Sequence, residues 1–310
     1  MHLVQVLCLG HAAYDLTVPL NSFPAENSKI EIESLGEAGG GPAANAAYLL
    51  SSWGVDCAFA GLIGDDSFGQ RIIEEFKTAG TDLSLLETRA GYPTPLSVIL
   101  VNTANGSRTI INRKAKSGGL QLDPALLARL NPAIMLFDGH EPEASLLAME
   151  TCPAATTVLD AGSLRPGTRL LAGKVDYLVA SERFARQITG LADLDTGEEW
   201  KSCLKQLAAI NPGQIVVTRG EKGLVYTTDG PGGKEYQRLP AFPVTAVDTT
   251  GAGDIFHGAF VYGLLQKLPL RENLRFASMA AALSVTKPGG RTSIPTLNQV
   301  EMALVAQDMK

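Results

Sequence analysis

Basic charge is in short supply in this chain. Lys and Arg number 26 against 32 Asp and Glu in 310 residues, a formal net charge of −6. Nucleic-acid binders as a class carry a basic surplus, so that function is set aside. Cysteine is equally sparse: Cys8, Cys57, Cys152 and Cys203 lie far apart, form no C-x-x-C pair and have no His at metal-ligand spacing. They read as reduced, buried thiols. No apolar run approaches the ~18 residues of a membrane span. The opening "MHLVQVLCLGHAAYD" has no Lys or Arg ahead of its short apolar run, so it reads as a first strand and not as a signal peptide. A soluble, cytoplasmic protein with neither membrane nor nucleic acid as partner is expected.

What the chain does have is apolar material: 45% hydrophobic against 19% charged residues, enough for a sizeable core. Short apolar runs at 3–10, 56–64, 133–139, 156–162, 176–181 and 214–220 alternate with helical patterns at 42–53, 67–79, 123–130, 141–150, 182–189 and 197–209. That order predicts an α/β fold with a mostly parallel central sheet flanked by helices. Ligands in such sheets bind beyond the carboxyl ends of the strands, where Asp15, Asp138, Asp160 and Arg219 fall. Two regions depart from the alternation. One is 14–38, where "KIEIESL" alternates like a half-exposed strand; the other is 96–113, two strands around an Asn-Gly turn. Together they predict a small antiparallel β-lid, about 14–38 and 94–116, inserted in a single domain spanning 1–310. A second hairpin is expected at 223–239, and helices at 252–266, 271–287 and 296–308.

The stretch "DTTGAGDIFHGAF" carries the most chemistry. Gly251, Ala252 and Gly253 run into Asp254 at the start of a helix. No Lys follows at Walker A spacing, and Phe256 stands where a dinucleotide fingerprint needs its third glycine. First-turn amides of a helix are unpaired, and the helix dipole favours an anion there. A carboxylate beside an anion site makes sense as a base that takes a proton from a hydroxyl while the amides hold a departing phosphoryl group. An ordinary Asp-capped helix start is the plainer alternative. In "GEAGGGPAANAAYLL" three glycines precede Pro42 and Asn45. Pro suits a first helical turn, but the glycine triplet is not needed for capping. The glycines suggest backbone close to a ligand, with Asn45 offering donor and acceptor; a tight strand-to-helix turn is the plainer alternative. Asp15, in "GHAAYD", is placed at the end of the first strand, where one carboxylate can accept from two sugar hydroxyls.

"GHAAYD", "GGGPAANAA" and "DTTGAGDIFHGAF", in this order, closely resemble the ribokinase-like (PfkB) carbohydrate kinases, over essentially the whole chain. The resemblance implies an α/β fold with a β-lid often shared in a homodimer, ATP with Mg²⁺, and phosphoryl transfer to a hydroxymethyl group. It makes Asp254 the base and Gly251, Ala252 and Gly253 the anion hole. It makes Asp15, Gly40, Gly41 and Asn45 the sugar contacts. Thr218, Gly220 and Gly223, in "TRGEKG", and Thr250 would lie near the nucleotide. Asp248 and Ser293, with the loop of Pro288 and Gly290, match the family's monovalent-cation site, which implies K⁺. One departure concerns the metal: Ser181 and Phe184 stand where many members carry N-x-x-E, so Mg²⁺ would be held through ATP phosphates and water.

Within the family the chain is most similar to fructose-type and sulfofructose kinases. Lys29 and Asn112 fall where the latter grip a sulfonate, while Gly139-His140 replaces their Arg. Asp138 and His140 are further candidate sugar contacts, and strand alternation puts Arg108 on the face of Asn112. Lys114 and Lys116 read as a solvated rim, and His257 as a packed residue. The expected reaction is ATP-dependent phosphorylation of a primary hydroxyl on a ketose-type sugar. A nucleoside kinase of the same fold and a non-catalytic sugar sensor are the alternatives.

Overall fold

The computed structural model describes residues 4–104, 107–114, 118–230 and 233–308. Among the described residues thirteen strands form two sheets. In the smaller one, β2 (Ala13–Leu20), β3 (Gly36–Gly40), β6 (Leu96–Asn102) and β7 (Arg108–Arg113) run in the order β3-β2-β6-β7. The remaining nine are β1 (Val6–Leu9), β4 (Cys57–Gly64), β5 (Leu86–Arg89), β8 (Ile134–Phe137), β9 (Thr156–Ala161), β10 (Tyr177–Ser181), β11 (Gln214–Thr218), β12 (Leu224–Gly230) and β13 (Gly233–Leu239). Their order is β13-β12-β11-β10-β9-β8-β1-β4-β5. This sheet is parallel from β5 to β11, and antiparallel only where β12 and β13 close the edge.

Parallel strands need crossovers, and these carry α1 (Pro42–Ser52), α2 (Ser67–Ala79), α3 (Pro124–Leu130), α4 (Pro142–Thr151), α5 (Pro166–Ala172), α6 (Glu182–Thr189) and α7 (Gly197–Ile210). After β13 the chain adds α8 (Ala252–Leu265), α9 (Leu270–Ser284) and α10 (Leu297–Asp308). Strand alternation splits the core in two. Val6 and Cys8 pack on the layer of α1, α8 and α9, while Leu7 and Leu9 pack on the layer of α3 to α7. Strands buried on both faces read as continuous apolar runs, as "VLCL" and "IMLF" do. Local signals fix the helix ends: Asp66 accepts from Gly69 N at the head of α2, and Thr196 with Glu199 forms a capping box on α7. All four cysteines are buried and free. Among the described residues no helix is long and apolar enough to cross a membrane.

The small sheet differs from expectation in several ways. Its outer pairs β2·β3 and β6·β7 are antiparallel as expected, but the central pair β2·β6 is parallel. "KIEIESL" is not a strand: residues 21–35 are irregular and almost wholly exposed. The strand in that region is β3, made of the glycines that alternation could not reveal. Asp15 does not close the first strand, which ends at Leu9; it lies inside β2. The short elements β5 and α5 also went unforeseen. Asn105-Gly106, the tip at 231–232 and Lys116 lie outside the described residues.

Candidate active site

Gly251 caps α8 in a left-handed conformation (φ 73°) that L side chains rarely adopt. The amide of Ala252 donates to the Thr249 carbonyl at 3.3 Å. Those of Gly253 and Asp254 fall in the first turn, which has no intrahelical acceptor to offer. A Cβ on Gly253 would meet nothing within 4 Å, so this helix start faces open space. Gly258 on α8 would bring a Cβ 3.2 Å from Ala46 Cα, so α1 and α8 pack backbone to backbone. That contact brings Asn45 and Asp254 together, and Asn45 Nδ2 donates to Asp254 Oδ2 at 2.7 Å. The Asp254 carboxyl is half-buried by area but ringed by protein. Burial pushes it up to about 7, with the Asp160 charge as the next cause, while the Asn45 hydrogen bond and His257 oppose. A carboxyl poised near neutrality suits a general base.

The glycine triplet also has a cause inside the protein. It makes room for side chains of the protein itself. A Cβ on Gly39 would lie 2.1 Å from Arg291 Nη1, and one on Gly40 would lie 2.0 Å from Asp15 Oδ2. Gly41, at φ 101°, would strike the His11 carbonyl. Arg291 is buried beneath the triplet between the rings of Tyr48 and Phe76. Its Nη1 pairs with Glu75 Oε2 at 2.6 Å, and its Nε reaches Asn45 Oδ1 at 3.4 Å. Glu75 also accepts from the Gly39 amide at 2.9 Å. Asn45 is thus held from behind by a cation and presents its amide nitrogen to Asp254. Burial raises the Asp15 carboxyl, and its hydrogen bond with Ser97 and the Arg291 charge oppose.

Register in the small sheet settles which residues share the Asp15 face. Ala38, Asp15, Ser97 and Asn112 stand directly opposite one another, so their side chains point the same way. Arg108, two pleats along β7, shares that face as expected, and it hydrogen-bonds to Thr249 in the loop before Gly251. Lys29 is exposed in the irregular segment and does not line the cavity of about 310 Å³ beside Asp15, Thr250 and Gly290. Asp138 is no free sugar contact. It is 1% exposed, and its oxygens accept from the amides of His11, Ala43 and His140 at 2.8, 3.2 and 2.9 Å. His140 is not alone: its ring stacks on His11, and Lys114 and Arg165 approach its two nitrogens.

The expected nucleotide residues lie at the carboxyl end of β11. Thr218 and Gly220 line an open groove with Ser181, Glu182 and Arg219. A Cβ on Gly220 would meet nothing, whereas Gly223 (φ 80°) is pressed against the Leu239 carbonyl, so the first is open and the second structural. At the N-x-x-E positions, Ser181 caps α6 by accepting from Phe184 N, and the Phe184 ring is in the core. Glu182 pairs with Arg219 at 3.1 Å. Among the described residues no cluster of three His, Cys, Asp or Glu could hold a metal. Asp248 accepts from the amides of Thr250 (2.8 Å) and Gly289 (2.9 Å) and so ties the 249–251 loop to the 288–293 loop. Ser293 Oγ donates to the Gly290 carbonyl at 2.8 Å. Between them the Thr250 hydroxyl is buried with no partner.

Glu75, Ser97, Arg165 and Arg291 escaped the reading of the sequence. Ser97 lay within the 96–113 region and Arg291 in the loop of Pro288 and Gly290, but neither was named as a site residue. All four join the site through tertiary packing, which leaves no local pattern.

The profile of the pfkB family carbohydrate kinases matches residues 4–297. A Staphylococcus aureus ribokinase is 29% identical over 305 residues, covering 96% of this chain and 98% of its own length. An ATP-dependent ribose-1-phosphate kinase from Halopiger xanaduensis is 28% identical, with 96% and 97% covered. The structure of an Arabidopsis thaliana ribokinase complexed with ribose and ATP matches with a TM-score of 0.81 at 25% identity, covering 97% of this chain and 98% of that one. The chain therefore belongs to the pfkB family of carbohydrate kinases. Its reaction class is ATP-dependent phosphoryl transfer to a sugar.

Proposed function

We propose that the acceptor is the primary hydroxyl of a furanose sugar, a class that includes fructose-type ketoses and the ribose of the relatives' names. The observation that carries this reading is the Asp254 carboxyl, pushed up to about 7 at the head of α8 and held 2.7 Å from Asn45. Asp254 takes the hydroxyl proton, and the first-turn amides from Gly251 to Gly253 receive the negative charge of the transferring group. Asp15, Asn45 and the backbone at Gly40 and Gly41 orient the sugar, with Asn112 on the same face as Asp15. In this reading the nucleotide lies over Thr218 and Gly220. The small sheet acts as a lid within one kinase unit, Arg108 reaching Thr249 when closed. Its exposed Ile110 and Ile111 support a second copy of the chain as its neighbour. A cytoplasmic location goes with this reading.

Two ions belong to the proposal. Mg²⁺ enters with ATP and neutralises phosphate charge; with Ser181 and Phe184 at the N-x-x-E positions, water and phosphate supply its ligands. For K⁺ the orphaned Thr250 hydroxyl beside Asp248 and Ser293 fits a cation that takes oxygen ligands. An ADP-release assay with Mg·ATP, with and without K⁺, over fructose, ribose, tagatose, inosine and adenosine tests the proposal. Turnover of a furanose sugar supports it. Turnover of nucleosides alone, or sugar binding without ADP release, replaces it with the nucleoside-kinase or sensor alternative.

A further inference from the structure

Three adjacent strands of the main sheet, β1, β8 and β9, release basic residues just beyond their carboxyl ends. His11 follows β1, His140 follows β8 and Arg165 follows β9, while Lys114 comes from the end of β7 in the small sheet. The four meet. The His11 and His140 rings stack with centroids 4.4 Å apart. Lys114 Nζ lies 3.4 Å from His140 Nδ1, and Arg165 Nη1 contacts His140 Nε2. A neutral imidazole has one acceptor nitrogen, and neither an ammonium nor a guanidinium has any. Both ring nitrogens face a cation, so one of these contacts sets donor against donor. Arg165 Nε is buried with no partner at all.

No nearby carboxylate pairs directly with this charge, although Asp138 acts on Lys114 and Asp160 on Arg165 at longer range. Asp138 gives its oxygens to three backbone amides, and Arg165 reaches only its carbonyl, at 3.4 Å. Asp160 pairs with His257 at 3.3 Å. Among the described residues neither Lys114 nor Arg165 forms an ion pair. Burial, then the charges of Arg165 and Lys114, push His140 down to about 2, so its ring is neutral and the positive charge rests on the two cations. The cluster is on the acceptor's side of Asp254. Asp138 ties it to the Gly41–Ala43 corner, whereas the groove at Thr218 is over β10 and β11.

Resting on the proposed function, we infer that Lys114, His140 and Arg165 form a pocket for an anionic substituent of the sugar acceptor: a phosphate ester, carboxylate or sulfonate remote from the hydroxyl that is phosphorylated. Such a group supplies the acceptor atoms the cluster lacks, and Arg165 offers its planar fork.

The test compares acceptors that share a free primary hydroxyl and differ in charge. Ribose and fructose are the neutral sugars; ribose 1-phosphate, 2-keto-3-deoxygluconate and sulfofructose are the anionic ones. ADP release gives kcat/KM, and calorimetry without nucleotide gives Kd. The expected result is one anionic sugar about tenfold or more above both neutral ones, and its identity selects phosphate, carboxylate or sulfonate. Arg165→Gln and Lys114→Gln should each lower kcat/KM for that sugar about tenfold more than for ribose, about 1.4 kcal/mol. Lys114 is exposed, so its variant keeps the test alive if Arg165→Gln does not fold. A wild-type preference for neutral sugars, or equal losses on charged and neutral acceptors, overturns the inference. If no sugar is phosphorylated, the kinase reading fails by itself. Calorimetric binding of an anionic sugar that Arg165→Gln weakens about tenfold would still uphold the pocket, and its absence would sink it.

Discussion

Two neighbouring stretches of the central sheet's carboxyl edge are built in different ways. Over β1 and β8, glycines are spent on admitting side chains: Arg291 under Gly39 and Asp15 against Gly40, with Asn45 locked between Arg291 and Asp254. Charges there are buried and interdependent. Over β10 and β11 the groove is open, Gly220 faces empty space, and the Arg219–Glu182 pair sits at its rim. On the proposed function the first is the acceptor end, a preformed lattice of side chains, and the second the nucleotide end, a backbone shelf. That reading assigns discrimination among acceptors to the first.

The contrast can be broken at several points. Asp254→Asn is expected to cut kcat about 10³-fold, within the range for losing a general base. Circular dichroism should show the fold retained, and undiminished turnover would remove Asp254 from the role of base. Wild-type kcat should climb with pH and level off above about 7, as Asp254 loses its proton. Stability should run the other way. An unfolded Asp titrates near ~4, so the raised carboxyl contributes stability that is complete below that and lost as pH rises through about 7. Asp254→Asn should thus gain melting temperature relative to wild type between pH 5 and pH 8. Arg291→Met leaves Glu75 without its partner and should cost about 3 kcal/mol in urea unfolding, as breaking buried pairs does. A loss under ~1 kcal/mol would mean the acceptor end is not interlocked. Gly40→Ala drives a methyl into Asp15 and should raise KM for the sugar about tenfold, a penalty of roughly 1.4 kcal/mol, with little change in KM for ATP. Smallest of all, Glu182→Gln at the nucleotide rim should cost less than ~1 kcal/mol, as partly exposed pairs do, and should move KM for ATP about twofold or less.

The same contrast explains what was legible in the sequence. The body of the fold was, because strands buried on both faces are continuous apolar runs and their helices carry Pro, Asp, Thr and Gly at the ends. Asp254 and Asn45 were legible because helix starts leave local marks. β3 was not: "GEAGG" has no alternating apolar residues, so its pairing with β2 depends on backbone alone. "KIEIESL" misled for the opposite reason, showing period-two alternation with no sheet beside it to pair with. The glycine triplet was noticed but its part in admitting Arg291 and Asp15 was not, since nothing local says that they come to rest on it. Asp138 was placed correctly at a strand end, yet its role follows from three amides brought in by β1, α1 and its own loop.

The parallel pairing of β2 with β6 has a kinetic consequence. Residues 13–20 and 96–102 can meet only after the intervening chain has folded into α1, β4, α2 and β5, because closing so long a loop costs entropy before any contact repays it. The small sheet should therefore be among the last parts to form and the first to open. Hydrogen exchange would find its amides less protected than those of β1 and β8. A full-length chain in which only the main sheet and its helices had formed would have Asn45 and Asp254 in place while still lacking the strand pairing that sets Asp15 against Ser97.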